Sequence, residues 1–375
     1  MSFGTVPSKI GRDTDFSFRV RGILTPQTTG RHRISLASIG PSELYVNGVK
    51  VAEQSGSYEE KGPLFFTYGS NEAILSQDLA AGQDYEIVIE YRSHDRQLHP
   101  QLKDLLDPME DKFQGVRLGY EEFDDTDRPG EAAALAKGSD ATIVVVGRDK
   151  EWESEAQDNP MFELPGEQVR LIQEVAAVCK RTVVLVQSGT PIDMAPWVND
   201  VQSVLYIWYQ GQELGNAASD VVTGCFNPSG RLPITFPVRI EDCPSFSSFP
   251  GENDETYYSE GIFVGYKWWD LVDVPPLYPI GFGLSYNTFA VRPESISATV
   301  LHKDSTLTLA ANVRNTGGSN IPGQETIIAW FSQSSTKRLS RPKKQICGFA
   351  KSRLLLPEEG DRVEIKVHAT AFGMF

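Results

Sequence analysis

Residues 141–170 read ATIVVVGRDKEWESEAQDNPMFELPGEQVR. The opening run, 141–146, is uninterruptedly apolar and β-branched, the pattern of a strand in a parallel sheet that is covered on both faces. It passes directly into three closely spaced glutamates, Glu151, Glu153 and Glu155. A helix is predicted over 165–180, with Pro165 near its first turn, where a missing N–H costs nothing. Ligands of open α/β sheets bind outside the carboxyl ends of the strands. The acidic loop is therefore a candidate site on position alone.

Downstream, 182–187 and 201–208 read as two further apolar strands and 211–222 as a helix, while 132–137 reads as a helix end ahead of the first strand. Such alternation is the mark of parallel βαβ units. No G-x-G-x-x-G follows any strand and no G-x-x-x-x-G-K-[ST] occurs, so neither nucleotide fingerprint is present and dinucleotide binding is not expected.

The section before it, about 15–120, reads as short strands: FSFRVRGIL, RHRISLASI, SELYVNGVKVAE and QDYEIVIEYRS, each bounded by Gly, Pro, Asn or Asp. Asn47-Gly48 between two apolar runs is a type I′ hairpin signal, since both residues tolerate positive φ. This is all or part of a β-sandwich. The charged, proline-containing stretch 94–112 reads as a long loop before a strand at 114–120, and His94 and His99 lie on it. Beyond 243, the stretch 244–279 is rich in aromatics, proline and glycine without a sustained period and reads as an irregular linker. From Phe289 onward SISATVL, TLTLAANVRNT, ETIIAWFSQ and DRVEIKVHAT alternate apolar and polar residues, a second sandwich of immunoglobulin-like or fibronectin-like type. It has fewer strands than the roughly seven of a whole sandwich, which points to truncation.

With 375 residues, 40% of them hydrophobic, the chain is long enough for two or three cored domains. Its formal net charge of -15 is spread along the chain and argues against nucleic acid and anionic membrane as partners. A neutral ligand is compatible. Cys179, Cys225, Cys243 and Cys347 show no C-x-x-C spacing and the five histidines no H-x-x-x-H, so neither a disulfide framework nor a metal site is signalled. No apolar run approaches the roughly 20 residues that span a bilayer, and residues 1–16 lack the apolar core of a signal peptide.

Several strings in one order resemble glycoside hydrolase family 3 β-glucosidases, in particular fungal members with an inserted protective-antigen-like sandwich. They are FSFRVRGILTPQTTGRHRISLASIGPSELYVNGVKV, EWESEAQDNPMFELPGEQVRLI, WYQGQELGNAASDVVTGCFNPSGRLPITFP, YYSEGIFVGYKWWD, YPIGFGLSYNTF, VRNTGGSNIPGQE and RPKKQICGFAK. The resemblance implies a partial protective-antigen-like sandwich at 1–120, an α/β sandwich with a mostly parallel sheet at 121–243, a linker at 244–285 and a partial fibronectin type III-like domain at 286–375. It also implies a retaining hydrolase of terminal β-D-glucosyl residues with no cofactor. The nucleophilic aspartate lies on an N-terminal (β/α)8 barrel that no part of this chain resembles. The chain then reads as the C-terminal portion of a longer enzyme, inactive alone, and secretion is common among the fungal relatives. Oligomeric state is not indicated.

In the family motif the proton-donating glutamate precedes Gly-x-Asp-Arg, and the matching position here is Glu155, followed by Ala156, Gln157, Asp158 and Asn159. Retaining chemistry needs its two carboxyls about 5 Å apart, and the acid needs a raised pKa on a loop able to meet another domain. Ala156 stands where the family usually has glycine and Asn159 where it usually has arginine, which removes a cationic fork. Glu153, on the same side as Glu155 in an extended loop, is the second candidate acid, and a solvated acidic loop is the plain alternative. Trp152 is a candidate subsite wall or a core anchor. The stretch 227–233, NPSGRLP, reads as a structural turn from helix to strand. Trp268, Trp269, Tyr257 and Tyr258 read as packing aromatics ahead of sugar-stacking ones. Two other readings stay open: a non-catalytic carbohydrate-binding or interaction protein, and a nonfunctional fragment of a duplicated gene.

Overall fold

The computed structural model describes residues 16–56, 62, 69–93, 114–150, 152–154, 158–159, 161–253, 255–332 and 340–373. The predicted loop 94–112 lies outside the described residues, as does Glu155. The chain is mixed α/β, with several sheets and mostly strands. It forms two units: one runs up to Arg128 and includes Lys150–Asn159, and the other comprises Pro129–Asp149 and Pro160–Phe375.

The first unit contains β1 (Ser17–Leu24), β2 (Gly30–Ile39), β3 (Ser42–Val46), β4 (Val49–Gln54), β5 (Ala73–Leu79), β6 (Tyr85–Arg92) and β7 (Gly115–Glu121). They form two antiparallel sheets, β1-β6-β3-β4 and β5-β2-β7. The β3–β4 hairpin turns on Asn47 and Gly48, both at positive φ (49° and 78°), as a type I′ turn requires. Alternation decides the core: Leu44 and Val46 of β3 are buried with Ile87 and Ile89 of β6 and with Ile34 and Leu36 of β2. Each such side chain stabilises the unit by about 1.5–3 kcal/mol. The strand β5 was not anticipated: AILSQDL carries three consecutive polar residues, Ser76, Gln77 and Asp78, and only Leu79 is buried.

The helix–strand part of the second unit contains α1 (Arg128–Ala136), β8 (Thr142–Gly147), α2 (Gln168–Val178), β9 (Thr182–Gln187), β10 (Ser203–Tyr206) and α3 (Leu214–Val222). The strands form a parallel sheet in the order β10-β9-β8. Val144, Val146, Val184 and Val186 join Ile172 and Val175 of α2 and the fully buried Trp197 in one core. Leu185, Ile207 and Ala218 form a second, on the opposite face.

Two expectations are corrected here. The run 141–146 was expected to be covered on both faces, yet Ile143 and Val145 are 52% and 61% exposed; it is β9, the middle strand, that has both faces covered. An apolar run states only that its side chains favour burial, and the neighbours that cover them are supplied from elsewhere. The helix predicted over 165–180 starts only at Gln168, because Pro165 sits in the preceding turn and the Gln168 side chain is bonded to the end of β8.

The C-terminal part of this unit contains α4 (Tyr266–Val272), β11 (Thr288–Ile296), β12 (Thr306–Gly317), β13 (Thr326–Phe331), β14 (Gln345–Lys351) and β15 (Gly360–His368). Sheets β11-β12-β15 and β13-β14 enclose Leu307, Val313, Val363, Ile365 and Val367 together with Ile327 and Ala350. The strand expected at 295–301 ends at Ile296. The stretch 244–279, expected to be irregular, contains α4, whose Trp269 is buried. The Tyr266 ring meets Trp330 edge to face at 5.3 Å, and its hydroxyl accepts from the Ile346 N–H at 3.0 Å. Tyr266 thus packs on the sandwich, whereas Tyr257 and Tyr258 are exposed. The NPSGRLP stretch is structural, but as a staple: Asn227 Oδ1 accepts from the Ser285 hydroxyl (2.8 Å) and the Tyr286 N–H (3.0 Å), and Lys351 Nζ donates to Ser229 Oγ (3.0 Å). Among the described residues no helix is long and apolar enough to cross a membrane.

Candidate active site

The acidic loop leaves β8 at its carboxyl end, the position that favours a site in a parallel sheet. Gly147 closes the strand. A Cβ there would lie 2.0 Å from the Gln187 carbonyl oxygen, so the close approach of β8 and β9 admits only glycine. Gln168, the first residue of α2, braces the same point from the other side: its Oε1 accepts from the Gly147 N–H at 2.6 Å and its Nε2 donates to the Gly147 carbonyl at 2.9 Å. The L-P-x-x-Q sequence at 164–168 thus sets the turn that brings α2 back to the strand it follows.

Arg148, next along, is buried. Its N–H donates to the Gln187 carbonyl (2.9 Å). Its Nη1 donates to Thr190 Oγ1 (3.1 Å) and its Nη2 to the carbonyls of Met161 (2.7 Å) and Glu163 (2.9 Å). The Tyr209 hydroxyl donates to the Arg148 carbonyl at 3.0 Å, and the Tyr206 hydroxyl to the Thr190 carbonyl. Tyr206 also packs on Trp208 and Phe236, with centroids 4.8 and 5.0 Å away. The turns after β8, β9 and β10 therefore meet at one polar, aromatic-walled edge of the sheet.

Asp193 sits at the same edge, its N–H bonded to the Phe162 carbonyl at 2.9 Å. Burial pushes its carboxyl above the usual range against the pull of the Ala195 N–H, and the negative charges of Glu163 and Glu241 add to the rise.

Of the residues singled out from sequence, Trp152 and Glu153 are half-buried in a turn just after β8, and Glu155 lies outside the described residues. Arg148, Gln168, Thr190, Asp193 and Tyr209 were not anticipated. The one sequence signal for them is the polar pair Arg148-Asp149 set directly after an apolar strand. Among the described residues no cluster of His, Cys, Asp and Glu could hold a metal ion. The first unit holds an apolar slot of about 210 Å³ lined by Val20, Ile23, Leu24, Ile87, Leu118 and Tyr120, which offers little to the hydroxyls of a sugar.

Residues 36–266 match the glycosyl hydrolase family 3 C-terminal domain. Over 344 residues the chain is 36% identical to a beta-glucosidase of Rhizobium radiobacter, covering 91% of this chain and 40% of that protein. It is 34% identical over 346 residues to the probable beta-glucosidase K of Emericella nidulans, covering 91% and 39%. The structure is similar to that of a beta-glucosidase from Kluyveromyces marxianus in complex with glucose, with a TM-score of 0.81 and 31% identity over 95% of this chain and 40% of the other. It is also similar to DesR, a beta-glucosidase from Streptomyces venezuelae in complex with D-glucose (TM-score 0.63, 26% identity, 94% and 41% covered). The chain spans about 40% of the length of these relatives.

Proposed function

This chain belongs to glycosyl hydrolase family 3, and from that premise we propose that it is the C-terminal portion of a retaining β-glucosidase acting on terminal β-D-glucosyl residues. In this reading Glu155 is the general acid/base, Glu153 and Trp152 line the glucosyl site, and the nucleophile comes from a barrel domain outside this chain. The first unit up to 120 is a partial protective-antigen-like sandwich, 121–243 the α/β sandwich that bears the loop, 244–285 a linker and 286–375 a partial fibronectin type III-like domain. The observation that carries the reading is the stem of the acidic loop, which leaves the carboxyl end of β8 and is braced by Gln168 at Gly147.

The chemistry follows from two carboxyls about 5–5.5 Å apart across the scissile bond. The acid protonates the departing glycosidic oxygen while the nucleophile attacks the anomeric carbon. The same residue, now a carboxylate, then takes a proton from the water that releases glucose. A group that must change protonation state in each half-reaction belongs on a loop able to approach a second domain.

The test uses the 375 residues alone and the same chain joined to the N-terminal segment of a family relative. The chain alone should not hydrolyse an aryl β-glucoside. The joined protein should, and Glu155→Gln should lower its turnover by about 10²–10⁴-fold on a substrate with a poor leaving group. With a dinitrophenyl glucoside, whose leaving group needs no proton, glycosylation should be nearly unaffected. Equal losses on both substrates, or loss only with Glu153→Gln, would remove Glu155 from this role. A second reading, glucose binding without turnover, is favoured by Ala156 and Asn159 in the loop; calorimetry with glucose on an inactive joined protein would support it.

A further inference from the structure

Arg148 is 4% exposed. A guanidinium stays charged in a protein, so it is tolerated in such a place only where its N–H groups find acceptors. Two of its acceptors, the carbonyls of Met161 and Glu163, belong to the segment where the acidic loop returns to the fold. A third, Thr190 Oγ1, belongs to the turn after β9. Through its own backbone the same residue is tied to Gln187 of β9 and to Tyr209 beyond β10. One side chain, rooted where the loop departs, thus holds the place where the loop comes back.

The geometry points to Arg148 as a positioning residue for the acidic loop, a clasp across its stem that holds the returning segment at Met161 and Glu163 against the turn where the loop departs. This rests on the reading that the loop supplies the proton donor. The physical basis is the entropy of loop closure. With both ends fixed, the loop samples fewer conformations, and a donor carboxyl must be held to within about 0.5 Å to act. Two carbonyls on one planar fork are a demand that arginine meets and lysine meets only in part, because an ammonium is a point charge without the fork. Methionine would fill similar space and donate nothing.

Arg148→Met and Arg148→Lys are compared with the parent. In the 375-residue chain, hydrogen exchange is followed in peptides covering 149–163 and, as a reference, in α2. Arg148→Met should speed exchange in 149–163 by about 30-fold or more with α2 unchanged, and Arg148→Lys should fall between. In the joined protein Arg148→Met should lower kcat by about 10-fold or more with KM within about twofold, and Arg148→Lys should restore part of it. Unchanged exchange in 149–163 overturns the clasp. Faster exchange with unchanged kcat overturns the positioning role. If Arg148→Met loses the fold, Arg148→Lys carries the same comparison. The catalytic reading is judged separately by Glu155→Gln, so a freed loop in Arg148→Met beside an active Glu155→Gln would sink that reading and leave the clasp standing.

Discussion

Arg231 Nη2 donates to both carboxylate oxygens of Glu325, at 2.8 and 2.7 Å, across 94 residues of sequence. Both side chains are largely buried, 11% and 15% exposed. With the bonds of Asn227 to 285–286 and of Ser229 to Lys351, this pair fastens the helix–strand part of the second unit to its C-terminal sandwich.

Removing one partner of such a pair leaves the other charge desolvated. Glu325→Leu and Arg231→Met should each lower the unfolding free energy of the second unit by about 3 kcal/mol. The double variant Arg231→Met/Glu325→Leu should lose less than the sum of the single changes. Urea unfolding of the four proteins measures the coupling, and strict additivity would count against it.

Gly147→Ala brings a methyl group to within 2.0 Å of the Gln187 carbonyl oxygen and should cost about 1–3 kcal/mol. Gln168→Leu removes both partners of the Gly147 peptide groups and should cost a similar amount. Both act at the stem, so thermal unfolding should fall in each while the first unit is unaffected.

His32 is fully buried in the first unit. Its Nδ1 accepts from the Phe123 N–H at 3.1 Å, which can only donate, so Nε2 carries the proton and donates to the Thr28 carbonyl at 3.1 Å. The Tyr120 hydroxyl lies 2.9 Å from Nδ1 and its ring stacks on the imidazole. His32→Ala should destabilise the first unit by about 3 kcal/mol, by cavity and orphaned donor together. His32→Gln, which can still accept and donate, should lose less in the same denaturation experiment.

Two aspartates give opposite pH dependence. The Asp124 carboxyl is held down to about 2 by the Thr126 hydroxyl and the Arg128 guanidinium, with the Thr126 N–H adding to them. Its contribution is therefore full above its ordinary value of 3.8 and is lost as pH falls through about 2. Asp193 is raised by burial, so its contribution is present below 3.8 and is lost as pH rises through its own elevated pKa. Asp193→Asn should then raise stability at neutral pH and lose that advantage in acid, whereas Asp124→Asn should lower it at neutral pH. NMR titration of the two carboxyls gives the midpoints directly.

Elements with a strong local pattern were legible in the sequence. The Asn47-Gly48 hairpin, the apolar alternation of β12 and β15 and the strands β8 and β9 stand where their residues put them. The misses share a cause. The seven residues of α4 are too few to show a helical period. In β5 the polar residues Ser76, Gln77 and Asp78 follow one another, and in β14 the side chains are mostly half-buried on both faces, so neither sequence shows a clean apolar–polar alternation. At the candidate site the acidic residues announced themselves by spacing, but their braces did not. Gln168 reads as an ordinary helix residue, and nothing adjacent to Arg148 distinguishes a buried arginine from a solvated one.

The sequence by itself determined the strong elements, the parallel rhythm around 141–222 and the family to which the chain belongs. Each depends on backbone sterics, on apolar periodicity or on strings that stand in one order. Only the tertiary structure decided that β8 leaves one face open, that Arg148 is buried against the carbonyls of Met161 and Glu163, and that Arg231 meets Glu325. The partners in those contacts are brought together by the packing of separate segments, and a charged or amide side chain carries no local pattern that names its distant acceptor.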